Sequence, residues 1–244
     1  MSGQVVDTES AREFMKEALA RISEEETGAL LSELRDKSAR FQALLAPGRV
    51  AELSEEELRR LFRSVFSTRR TAGRMLRENG VQALRDRIVN LLYGRAPIAT
   101  RFQQFCEAFK GAETTTGFDF ASELLHYTLP AEYWLWTRWM WNPRNGVGAL
   151  RLVTLDGCEL RGSDLGETYL RVGEAVAFVS ETARAAGLQR ADSGLFGTTI
   201  YLCLVYIIYM YTTLRLRMTQ EFNKVIPELP ELARRILGVY RLEV

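Results

Sequence analysis

Between Ser193 and Leu214 the chain runs for 22 residues, SGLFGTTIYLCLVYIIYMYTTL, without a charged side chain. Such a segment has two outlets. It spans a bilayer, which takes about 20 apolar residues of helix, or it is the central helix of a helical domain, apolar on every side because it is surrounded. Tyr201, Tyr206, Tyr209 and Tyr211 are spread through the run, and Thr198 and Thr199 dilute it. Tyrosines of membrane helices gather instead at the two interfaces. Asp192 supplies an N-cap residue just before the run. The expectation is a buried central helix, with a membrane-anchored helical protein through 193–214 as the alternative.

The rest of the chain agrees with a mainly α, multi-helix globular domain. Phe14, Ala18, Ile22, Leu30, Leu34, Phe41 and Leu45 recur at helical spacing, and Pro47-Gly48 stops the run. Ser10 with Glu13, and Ser54 with Glu57, have the form of capping boxes. A third helix carries Leu84, Ile88, Leu91 and Leu92 and ends at Gly94; Pro97 opens a fourth; another runs on to Gly187. Only residues 149–161 suggest strand: Asp156-Gly157 between two short alternating runs predicts a small β-hairpin. One domain, or two closely packed lobes meeting near the hairpin, follows from this reading. An N-terminal helical lobe covers 1–145, and the hairpin with a C-terminal helical lobe covers 146–244.

With 244 residues the chain can bury a sizeable core without staples. Cys106, Cys158 and Cys203 are far apart and in no C-x-x-C spacing, which predicts free thiols in a reducing compartment and no zinc site. The N-terminus is acidic and amphipathic with no apolar stretch of a signal peptide. The cytoplasm is the expected location.

The segment HYTLPAEYWLWTRWMWNP, 126–143, holds the only histidine and all four tryptophans. His126 with Ser122 or Cys106 would be the sole nucleophile–base combination, and no G-x-S-x-G elbow accompanies it. No phosphate-binding glycine loop follows a strand, and one histidine with three isolated cysteines does not make a metal site. The sequence thus predicts no enzyme activity, no metal and no cofactor. His126 is expected to be a helix-end histidine bonded to a carbonyl or carboxylate. Read as a helix over Pro130–Asn142, the stretch wraps indoles around more than half a cylinder, so two or three tryptophans belong to the core. At least one of Trp134, Trp136, Trp139 and Trp141 then reaches the surface beside Arg138 or Arg144, as a cation–π pair. This aromatic surface is the expected docking place for a partner.

Charge is strongly segregated. Residues 59–101 carry eleven arginines against two acids, a net +9, whereas residues 7–57 carry thirteen acids against seven bases; the whole chain is at +1. An arginine-rich segment suits phosphates, whose oxygens accept bidentate hydrogen bonds. It equally suits the acidic helices, within the chain or in a second copy. Arg69, Arg70, Arg74, Arg77 and Arg101 are the candidate nucleic-acid contacts.

LLYGRAPIATRFQQFCEAFKGAETTTGFDFASELLHYTLPAEYWLW, with the residues just after it, resembles helix-hairpin-helix domains of the DNA-glycosylase type over about residues 91–141. In such domains backbone N–H groups at a hairpin and helix N-terminus hold a DNA phosphate. The resemblance assigns that role to Gly111, Thr114, Thr115, Thr116 and Gly117. It departs at Glu113, a negative charge at the phosphate position, and over Ala131–Asn142, where Trp136 and Thr137 stand in place of the catalytic aspartate. It therefore implies a DNA-binding scaffold without base-excision chemistry.

The favoured functional expectation is a non-enzymatic accessory or scaffold protein acting on another protein, or on a second copy of itself, through the aromatic stretch. A nucleic-acid-binding helical domain using the 59–101 arginines is the alternative, and membrane attachment comes third.

Overall fold

The computed structural model describes residues 6–111, 113–187, 191–217 and 227–240. Among them are eleven α-helices and no strand. They are α1 (Thr8–Leu19), α2 (Glu24–Leu44), α3 (Glu55–Ser64), α4 (Ala72–Asn79), α5 (Val81–Tyr93), α6 (Ile98–Ala108), α7 (Thr114–Thr128), α8 (Ala149–Val153), α9 (Leu165–Ala185), α10 (Gly197–Arg217) and α11 (Leu229–Leu237), with short 3-10 turns at Val50–Glu52 and Ala191–Phe196.

Local chemistry accounts for most boundaries. Ser54 and Glu57 form the expected capping box at α3, and Ser23 with Glu26 forms a second one that separates α2 from α1. At α1 the cap is Asp7, whose Oδ1 accepts from the N–H groups of Glu9 and Ser10 at 3.2 and 3.1 Å; Ser10 lies inside the helix instead of capping it. Gly187 (φ 68°) ends α9 in the left-handed region.

The expected hairpin at 149–161 is not formed. Residues 149–153 are helical because Ala149, Leu150 and Val153, all buried, share one helical face. Thr154 makes only an isolated bridge with Val6, and Asp156-Gly157 is a plain turn.

Two helices carry much of the burial. α10 holds Ile200, Leu202, Cys203, Leu204, Val205 and Ile207 buried and packs against α1, α2, α8, α9 and α11. Its flanking Asp192 lies where side chains are not described. α7 is buried at every position from Thr115 to Thr128, although it carries Asp119, Ser122, Glu123 and His126. One continuous apolar cluster of described residues runs from Val6 to Val239, with α1 against α10 and α6 against α9.

Pro130–Asn142 is not a helix, contrary to the sequence reading. After α7 ends, the chain turns and runs back along it in extended form, and side chains of α7 satisfy its backbone. His126 Nδ1 is 2.9 Å from the Tyr133 carbonyl, Ser122 Oγ accepts from Trp136 N–H at 2.6 Å, and Asp119 Oδ1 accepts from Arg138 N–H at 2.8 Å. A buried loop needs such partners for its peptide groups. The polar residues of α7, one helical turn apart, provide them.

Candidate nucleic-acid interface

The site begins at the end of α3. Thr68, buried, donates its hydroxyl to the carbonyls of Phe62 (2.5 Å) and Val65 (3.3 Å), which folds Val65–Thr71 into a tight turn before α4. That turn sends Phe66 and Arg70 into solvent. Opposite lies the C-terminus of α11, closed by Gly238 (φ 70°), with Val239 and Tyr240 N–H bonded back to the Arg234 carbonyl. A Cβ at Gly238 would meet Lys37 Nζ at 2.8 Å and the Ser64 carbonyl at 2.9 Å, so this corner accepts no side chain.

Lys37 anchors the corner. Its Nζ, fully buried, donates to Glu123 Oε2 at 2.7 Å and to the Leu237 carbonyl at 2.9 Å, and sits 4.1 Å from the centre of the Tyr127 ring. Burial pushes the Lys37 ammonium down and the Glu123 carboxyl up, each opposed by the partner's charge. On the surface, Arg234 Nε meets both oxygens of Glu33 at 2.8 and 3.0 Å and ties α11 to α2 a second time.

Between the α3–α4 turn and the end of α11 opens a cleft of about 980 Å³. Arg63 reaches it from α3, Arg69 and Arg70 from the turn, Arg138 from the extended segment and Arg235 from α11; Ser64, Phe66, Ser67, Gly238 and Tyr240 complete the lining. Among these described residues there is no carboxylate, histidine or cysteine. Arg138 is held in place by Asp119 Oδ2 (Nε, 2.7 Å) and Thr116 Oγ1 (Nη2, 2.9 Å), which leaves Nη1 for a ligand. Burial pushes the Asp119 carboxyl up to about 7, against the pull of the Arg138 charge. Arg235 bonds Glu231 on its own helix and stands over the Tyr240 ring at 4.8 Å. The Ser67 hydroxyl oxygen is buried and has no hydrogen-bond partner in the protein.

Of the sequence-predicted contacts, Arg69 and Arg70 lie in the cleft and Arg74 and Arg77 are exposed on neighbouring α4. Arg101 is buried: it donates to the carbonyls of Leu91 and Ala96 and to the Tyr133 hydroxyl, so it serves the fold and faces no ligand. Thr115 and Gly117 are also interior, Gly117 lying against the Phe109 ring, while Gly111 (φ 81°) lies beside the Glu78 carboxylate. Glu113 precedes the first turn of α7 and holds Arg144 at 2.8 Å.

Trp136, Trp139 and Trp141 are buried and Trp134 is half-buried. Trp136 stacks on Phe118 at 4.2 Å and donates its indole N–H to the Trp141 carbonyl; Trp139 lies 6.0 Å from Tyr206. Arg138, expected beside an indole, pairs with Asp119. Sequence reasoning missed Arg235 and Tyr240. Nothing in the local pattern links α11 to the 63–70 arginines, because Lys37 and Glu33 on α2 make that link in three dimensions. Comparison with protein-family models, curated proteins and solved structures finds no match for this chain.

Proposed function

We propose that the protein is a non-catalytic nucleic-acid-binding protein that takes phosphates in the arginine-lined cleft. One observation carries this reading: five arginines from four separate parts of the fold converge on one cleft whose described lining holds no acid. Guanidinium forks match phosphate oxygens bidentately and are always charged. The test is a fluorescence-anisotropy titration of a mixed-sequence oligonucleotide at low salt. The Arg69→Ala/Arg70→Ala double variant is expected to bind at least tenfold more weakly, with an unchanged circular dichroism spectrum. Equal affinity in variant and wild type would remove the cleft from the account.

A second reading, docking of another protein or a second copy, draws on a different surface. With the tryptophans inside, it rests on α9, where Leu170 and Phe178 stand 43% and 49% exposed. Phe178→Glu is expected to abolish any concentration-dependent association seen by light scattering, and a wild type monomeric at all concentrations ends the self-association form of this reading.

A further inference from the structure

The cleft combines charge with an aromatic surface. Phe66 is 62% exposed, the most exposed of the large apolar side chains among the described residues, and it sits in the turn between Arg63 and Arg70. A fold that buries eight of the other described phenylalanines leaves this ring on the wall of the arginine cleft, with Tyr240 on the same cleft under the Arg235 guanidinium. A duplex offers only phosphates to such a site, because its bases are paired and stacked within the helix. An unpaired strand offers phosphates and base faces together, and pairing a basic groove with aromatic platforms is how single strands are held without sequence preference. The volume, about 980 Å³, is at the upper end for a small-molecule site and admits a short unstacked stretch of strand.

We infer that the cleft takes single-stranded nucleic acid, with Phe66 as the stacking platform for a base and Arg70 meeting the adjoining phosphate. This rests on the nucleic-acid reading above and narrows it to one class of ligand. The base faces are common to DNA and RNA, so the site is open to either.

The test uses the full chain and three labelled probes of one mixed sequence: a 15-nucleotide DNA strand, the same strand in RNA, and the DNA duplex, all at one salt concentration. At least one of the single strands is expected to bind about tenfold or more tightly than the duplex. Phe66→Ala should weaken single-strand binding about 5- to 100-fold, as expected for the loss of one stacked base, and change duplex binding by less than about twofold. Phe66→Trp should retain it. Because Phe66 is exposed, these variants fold like the parent, which thermal melting verifies. If the duplex binds as well as both single strands, or Phe66→Ala leaves single-strand affinity unchanged, the inference is overturned while the nucleic-acid reading stands. If none of the probes binds at low salt, both fall together.

Discussion

Lys37 concentrates the residue-scale physics of this protein, because its charge is buried and three groups hold it: the Glu123 carboxylate, the Leu237 carbonyl and the Tyr127 ring. Removing one member of a buried ion pair leaves the other charge without compensation, at a cost of about 3–5 kcal/mol. Lys37→Met is expected to lose that much in urea denaturation, and Lys37→Met/Glu123→Leu to recover most of it. Equal losses in the single and double variants would show that packing, not charge, is at stake. Two other buried groups on α7 give opposite pH dependences. Burial pushes Asp119 from 3.8 up to about 7, so between those values the folded chain keeps a proton that the unfolded chain releases, and this contribution to stability falls as pH rises. Burial holds His126 down at about 4 from 6.5, so its contribution is present above 6.5 and is lost as pH falls towards 4. Relative to wild type, Asp119→Asn should therefore fare better as pH rises from 4 to 7, and His126→Asn better as pH falls from 6.5 to 4. Parallel pH profiles for both variants and wild type would contradict this.

At the scale of elements, α7 and the segment 133–138 behave as one unit, the helix supplying side-chain partners to a strand-like chain that has no sheet. Ser122→Ala would leave the buried Trp136 N–H without an acceptor, a loss of about 1–3 kcal/mol. Thermal melting of the variant measures it, and an unchanged midpoint would mean that this bond is replaceable. This element also shows where sequence reading stops. The Ser54–Glu57 box, Gly187 and the apolar spacing of α5 were legible because each rests on residues within a turn of one another. The Pro130–Asn142 stretch has helical-looking aromatic spacing, but its backbone partners lie on α7 and no local pattern declares them. Residues 149–153 failed for a related reason. Five residues with four apolar positions fit either period, and only the buried face of α8 selects the helix.

In the whole molecule, the uncharged run is mostly buried in α10 as far as Ile208, and α1 and α11, the first and last described helices, pack against it. The cleft follows from this packing. Arg69 and Arg70 were visible as part of a basic segment, whereas Arg138 and Arg235 joined them only through folding, and Arg101 is buried where it holds the Leu91 carbonyl in the last turn of α5 and the Ala96 carbonyl just after it. The central claim is that this assembled charge binds nucleic-acid phosphates, and the salt dependence of affinity tests it most directly. For a single strand the slope of log K against log salt is about −0.7 per phosphate neutralised. Wild type should therefore give a slope near −2 or steeper between 50 and 200 mM salt, and Arg70→Ala should reduce its magnitude by about 0.7. A slope near zero, or one that the substitution leaves unchanged, would contradict the claim.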